Sequence, residues 1–64
     1  MMETKGGFLR RGDIVEDPAG RDVEIIKILS RPGDRIIIRV RDCESGGKRE
    51  MRIYRDRHYN VLEE

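Results

Sequence analysis

The sequence predicts an all-β domain in which five short strands form a strongly bent antiparallel barrel. Two segments, Arg35–Arg41 and Arg49–Arg55, alternate between apolar and polar residues with the period of two that a half-buried strand shows. Three turn signals, Asp17–Gly20, Arg31–Asp34 and Glu44–Gly47, separate the strands at short intervals. Five strands in 64 residues cannot form two full sheets, so one sheet bent on itself is expected to protect both edges.

The N-terminal segment divides into a leader and the entry to the first strand. Residues 1–7 are polar and end in two glycines, which predicts a flexible leader ahead of a single domain over residues 8–64. The pair Ile14–Val15 marks the first strand, and we expect Phe8 or Leu9 to pack against the core.

The second strand is predicted at Val23–Leu29, after a turn in which Gly20 is expected to have positive φ. Its adjacent Ile25 and Ile26 interrupt the alternation, which indicates a β-bulge or a strand covered on both faces. Gly46 and Gly47 are expected in the hairpin loop that joins the strand Arg35–Arg41 to the strand Arg49–Arg55.

The C-terminal segment is predicted to contain a short 3-10 turn at Asp56–Tyr59, where the alternation breaks, and a closing strand at Asn60–Glu64. The alternating positions also predict the core. Its expected members are Ile14, Val15, Val23, Ile25, Ile28, Ile36, Ile38, Val40, Met51, Ile53, Val61 and Leu62.

Composition excludes several classes of protein. The one cysteine, Cys43, rules out an internal disulfide, and Cys43 with His58 cannot supply the four ligands of a structural zinc. We therefore expect no metal and no cofactor. A lone cysteine without a secretion signal or a long apolar stretch predicts a cytoplasmic protein with no membrane contact.

The segment Gly12–Arg21, with Gly12-Asp13-Ile14-Val15 at its start, resembles the opening strand and turn of KOW-type and Tudor-type members of the SH3-like small β-barrels. Pro18–Arg21 and Glu44–Lys48 show a fainter resemblance to the small crenarchaeal chromatin proteins, which share that barrel. The resemblance implies an SH3-like fold. It does not carry over an activity, because those chromatin proteins are lysine-rich and strongly basic whereas this chain has a net charge of +1.

No residue pattern predicts catalysis, so we expect a protein that is not an enzyme. His58 has Asp56 nearby but no nucleophile, and Cys43 lies between two carboxylates that disfavour a thiolate. The carboxylates of Asp13, Glu16 and Asp17 are of the kind that an oxygen-ligand metal site would use, but such a cluster is more often a solvated sheet edge.

The arginines of the C-terminal half are the one patterned feature that suggests a function. Residues 35–57 hold eight basic and four acidic side chains. If the two alternating strands pair, their outer face joins arginines and a tyrosine that can contact phosphates and stack on a base. The predicted nucleic-acid-binding residues are Arg39, Arg41, Arg52, Tyr54 and Arg55.

The sequence thus predicts a small binding module that binds nucleic acid with low sequence specificity. A solvated face with ion pairs to Glu50 and Asp42 is the structural alternative. A protein-interaction or assembly module, including a homodimer, is the functional alternative. The near-neutral charge and the outward Ile37 favour that alternative.

Overall fold

Six strands form one antiparallel sheet in the computed structural model, which describes residues 2–62. The sheet is open, and its strand order is β1-β6-β2-β3-β4-β5. The strands are β1 (Met2–Lys5), β2 (Ile14–Glu16), β3 (Asp22–Ser30), β4 (Arg35–Asp42), β5 (Lys48–Tyr54) and β6 (His58–Leu62). The all-β prediction is confirmed, but the sheet has six strands instead of the five expected. Within residues 2–62, no helix has the length and apolar composition to cross a membrane.

The additional strand, β1, lies in the segment expected to be a flexible leader, residues 1–7. Met2–Lys5 pairs along β6, with Met2 opposite Val61 and Lys5 opposite His58. This strand is at the edge of the sheet and mostly exposed, so backbone hydrogen bonds can hold it with little apolar burial. The sequence of β1 therefore lacks the alternation of apolar and polar residues that predicts a strand. Met1 lies outside the described residues.

The predicted 3-10 turn is misplaced. Residues 55–57 form a plain turn, and β6 begins at His58 because Tyr59 alternates with Val61 on the core side. Among the described residues the 3-10 turn is instead Gly6–Phe8, directly after β1. Glu63 and Glu64, the predicted end of the closing strand, lie outside the described residues.

The central strands follow the sequence pattern closely. In the β3–β4 pairing the register shifts between Ile25 and Lys27, which confirms the bulge predicted from the adjacent isoleucines. A second shift follows between Ile28 and Ser30. Bulges bend a strand and increase its twist, so both help β3 to curve the sheet.

The core lies on one face of the sheet. Its buried members are Leu9, Val15, Val23, Ile25, Ile36, Ile38, Val40, Ile53 and Val61. Eight of these nine were in the predicted core, and Leu9 is the member of the Phe8–Leu9 pair that packs inward. Four other predicted core residues are only partly buried, namely Ile14, Ile28, Met51 and Leu62.

The turns at one end of the molecule are joined by backbone hydrogen bonds. The Gly6 N–H donates to the Arg57 carbonyl at 2.8 Å, and the Gly7 N–H donates to the Arg55 carbonyl at 3.0 Å. The Arg55 N–H donates to the Asp34 carbonyl at 2.8 Å. The segment after edge strand β1 therefore contacts the turn that follows edge strand β5, and the turn between β3 and β4 is attached to that same turn.

Gly6 is needed for this close approach, because a Cβ there would overlap the Tyr54 carbonyl oxygen. At the opposite end, the predicted turn geometry is confirmed. Gly20 has φ of +82° and Gly46 has φ of +78°, values that favour glycine, and Gly47 follows in the same loop.

Candidate nucleic-acid interface

The outer surface of β3, β4 and β5 is a charged face with a regular register. Residues directly opposite each other in paired antiparallel strands lie on one face of a sheet. The outward pairs between β4 and β5 are Arg35 with Tyr54, Ile37 with Arg52, Arg39 with Glu50, and Arg41 with Lys48. On the other side of β4, Glu24 lies opposite Arg41 and Lys27 opposite Arg39. We call this set of residues the outer face.

Two of the predicted binding arginines are in ion pairs. The Arg39 guanidinium lies 3.4 Å from the Glu50 carboxylate, and that of Arg41 lies 2.9 Å from Glu24. The prediction of a solvated face named Glu50 and Asp42 as partners. Glu50 is confirmed, whereas Asp42 instead accepts the N–H groups of Glu44 and Ser45. The contact to Glu24 was missed because it depends on the register of β3. Exposed pairs of this kind contribute only about 0–1 kcal/mol, so a phosphate can compete for both guanidinium groups.

Arg52 lies on the same face without such a contact. It is exposed, and the ion pairs formed by arginines within residues 2–62 are those of Arg39, Arg41 and Arg49. Its neighbour across the strands, Ile37, is half-buried. The exposed large apolar residues within residues 2–62 are Met2 and Phe8.

Tyr54 lies at the end of the outer face and is half-buried. Its backbone N–H donates to the Tyr59 hydroxyl at 2.9 Å, and the Arg57 guanidinium carbon lies 4.7 Å from the centre of its ring. This cation–π contact covers one side of the ring. Tyr54 therefore offers less stacking surface than its outward position predicted.

Arg55 belongs to the turn instead of the strand. Its Nη2 donates to the Gly33 carbonyl at 2.5 Å, and its side chain passes close to Gly7. The structure thus brings Arg39, Arg41, Arg52 and Tyr54 together on the outer face and places Arg55 at its margin, beside the joined turns.

Two residues near this margin were missed by the sequence reasoning. Phe8 is 72% exposed in the 3-10 turn, and Arg57 stacks on Tyr54. Phe8 was expected to be an alternative to Leu9 as a core residue. The paired glycines before it indicate that the backbone can approach another segment closely, but they do not indicate which of the two side chains points outward.

The opposite end of the sheet contains two buried aspartates that stabilise turns. Asp17 accepts hydrogen bonds from the N–H groups of Ala19 and Arg21 at 2.9 and 2.8 Å. Asp42 accepts from the N–H groups of Glu44 and Ser45 at 2.8 and 3.0 Å. Both side chains are in the pattern of Asx turns, in which a carboxylate replaces a missing backbone partner.

These hydrogen bonds favour the ionised carboxylates. The Arg21 N–H is the main group that lowers the pKa of Asp17, burial opposes it, and the Arg49 side chain and the Ala19 N–H lower it further. The N–H groups of Ser45 and Glu44 lower the pKa of Asp42. Both aspartates therefore have a structural role.

The remaining candidates for chemistry stay apart. Cys43 and His58 are exposed at different ends of the sheet. Among residues 2–62, no three metal-ligating side chains are grouped so that they could hold an ion. The shallow depression beside the Asp17 turn is lined by Gly20, Arg21, Asp22, Cys43 and Glu44.

Comparison of the whole chain with protein families, with curated protein sequences and with solved structures finds no match in any of the three.

Proposed function

We propose that this protein is a small binding module that binds nucleic acid with low sequence specificity through the outer face. The observation that carries the proposal is the excess of basic side chains in the register of three adjacent strands. Six basic residues (Lys27, Arg35, Arg39, Arg41, Lys48 and Arg52) share that face with Glu24 and Glu50, and a third acidic residue, Asp22, lies on the same side of β3 at its start.

The chemistry of this face suits a phosphate backbone. Guanidinium groups present planar forks of N–H donors that match phosphate oxygens. Contacts of this kind fix position on the backbone but do not read bases, so binding is expected to be largely independent of sequence. The binding residues of the proposal are Arg39, Arg41, Arg52 and Tyr54, with Arg55 at the margin.

An SH3-like fold is part of the same proposal. The resemblance of Gly12–Arg21 to the opening of KOW-type and Tudor-type barrels supports it. A sheet bent far enough for Gly6 and Gly7 to contact the turn after β5 supports it as well. The additional edge strand β1 would then be an extension of the five-stranded barrel.

The test is a titration of labelled single-stranded and duplex DNA and RNA at low salt, followed at increasing salt. On duplex DNA each neutralised phosphate contributes about −0.9 to the slope of log affinity against log salt. We expect Arg52→Ala to make that slope less steep by about 0.9, which is the contribution of one phosphate. Arg21→Ala is the matched control, because Arg21 is exposed in the turn at the other end of the sheet. Absence of binding at about 10–100 μM protein, which is the weak end of non-specific affinity, would reject the proposal.

A protein-interaction module is the second candidate, and the free edge of β5 favours it. The Asp42 N–H bonds to the Gly47 carbonyl and the Arg55 N–H to the Asp34 carbonyl. The ladder alternates, so Lys48, Glu50 and Arg52 point their backbone groups away from β4. An added strand could pair there. Sedimentation of the protein alone tests a homodimer by this route, and a monomer that fails to bind nucleic acid would favour a different protein partner.

A further inference from the structure

Phe8 is an exposed apolar side chain on the 3-10 turn Gly6–Phe8, whose backbone is held in place by neighbouring segments. It is 72% exposed, while the next residue, Leu9, is 3% exposed and packs in the core. The Leu9 N–H also donates to the Gly6 carbonyl at 3.2 Å, which closes the 3-10 turn. The inward Leu9 thus anchors the turn and leaves the ring of Phe8 in solvent.

The 3-10 turn is also held by the turn after β5. The N–H groups of Gly6 and Gly7 donate to carbonyls of Arg57 and Arg55, and Gly6 has no room for a Cβ. Three backbone hydrogen bonds and the packing of Leu9 in the core therefore fix the backbone around one exposed ring. A ring in a fixed backbone loses little conformational freedom when it is covered by a ligand.

The segments next to Phe8 carry three arginines, with Asp56 as an acidic residue in the turn after β5. A Cβ on Gly7 would lie only 2.9 Å from Cγ of Arg55, so the Arg55 side chain runs alongside the turn. Arg57 belongs to the turn whose carbonyl receives the Gly6 N–H, and Arg10 is exposed two residues after Phe8. An exposed aromatic ring with arginines in the neighbouring segments is the combination with which proteins hold an unpaired nucleotide.

We infer that Phe8 stacks on one base of a single-stranded nucleic acid while the neighbouring arginines contact its phosphates. The inference rests on the proposed function and adds the class of strand that this site selects. A base inside a duplex has both faces covered by its neighbours, so only an unpaired base offers a face to the ring. Tyr54 is the weaker platform, because Arg57 already covers one side of its ring.

The chain offers a clean optical probe of this contact, because it contains no tryptophan. Phe8→Trp introduces a single indole at the proposed stacking position. Titration with an oligothymidine should quench its fluorescence, whereas a strand of the same length without bases, which keeps the phosphates, should not. Quenching of equal size by both strands would overturn the stacking contact.

Affinities of Phe8→Leu complete the test, because leucine keeps the apolar character and removes the ring. We expect single-strand binding to weaken about 5- to 100-fold, as base–aromatic stacking contributes about 1–3 kcal/mol. Duplex binding should change by less than about twofold. The urea midpoint of Phe8→Leu, compared with that of the parent protein, shows whether the fold is intact.

The outcomes separate the two proposals. If the parent protein binds neither single strands nor duplex, the proposed function itself is rejected. If it binds both and Phe8→Leu weakens neither, the outer face still binds phosphate and the stacking role of Phe8 is rejected. If the parent protein self-associates in sedimentation and Phe8→Leu does not, Phe8 is a contact between copies of this chain and the inference is overturned.

Discussion

The Arg49 guanidinium on β5 donates to the buried carboxylate of Asp17, which lies 32 residues earlier in the turn between β2 and β3. The Asp17 side chain is 3% exposed, and its other oxygen already accepts the N–H groups of Ala19 and Arg21. One carboxylate thus closes a local turn and ties that turn to a strand far away in sequence. Arg49 is therefore engaged at the end of the sheet opposite to Phe8, apart from the outer face.

Asp17→Ala is expected to destabilise the protein by about 1–3 kcal/mol, because it leaves buried N–H donors without their acceptor. Asp17→Asn keeps an oxygen for the turn but loses the charge that pairs with Arg49. Its loss of stability should therefore be smaller than that of Asp17→Ala. Urea denaturation of both variants measures the difference. Equal midpoints for Asp17→Ala and the parent protein would contradict the structural role of this carboxylate.

Stability should fall at acid pH because of Asp17 and Asp42. The pKa of each is lower in the folded protein than its ordinary value. Each group therefore stabilises the fold fully above the ordinary value of about 3.9, and that contribution is lost as the pH falls through the folded pKa. Urea midpoints measured from neutral pH down to about pH 2 should decline mainly below pH 4. The decline should be shallower in Asp17→Asn, which has one such carboxylate fewer, and an equal decline in both proteins would be contrary to this account.

Ile38→Ala should cost about 2–5 kcal/mol, which is a large fraction of the stability of a small domain. Ile38 is 1% exposed and lies between Ile28 on β3 and Met51 on β5. Ile37→Ala is the matched control, because the neighbouring side chain points to the outer face and is only half-buried. Thermal or urea unfolding should show the larger loss for Ile38→Ala, and the reverse order would mean that the two faces of β4 are misassigned.

Gly6→Ala should loosen the contact between the 3-10 turn and β5, because the new Cβ would overlap the Tyr54 carbonyl oxygen. We expect a loss of about 1–3 kcal/mol, as for other overpacked positions. Gly47→Ala is the control, since the nearest atom to its Cβ would be the Ser45 hydroxyl oxygen at 3.4 Å. Comparable midpoints for the two variants would show that the turn does not approach β5 so closely.

The fold was predictable where side-chain burial determines the pattern. Ile36, Ile38 and Val40 alternate with exposed arginines because one face of β4 packs in the core and the other meets solvent. The bulge at Ile26 was also predictable, because two adjacent apolar residues cannot both follow the alternation. The strand β1 was not, because an edge strand is held by backbone hydrogen bonds that leave little trace in the side chains.

The candidate site was predictable only in part. The shared face of Arg39, Arg41 and Arg52 follows from the period of two once β4 and β5 are paired. The contact of Arg41 with Glu24 could not be derived, because the bulges in β3 shift its register against β4. Phe8 could not be distinguished from Leu9 either, since the choice between them depends on a turn attached to residues more than 40 positions later.

The strand order has a consequence for how the chain acquires its structure. β6 lies between β1 and β2, so these two strands have no contact with each other in the sheet except through β6. Met2 meets its partner only when Val61 arrives, at nearly the greatest sequence separation that the described residues allow. Such distant pairings raise the contact order and slow folding. During synthesis, the hairpins from β2 to β5 can form early, whereas β1 must wait unpaired until β6 leaves the ribosome.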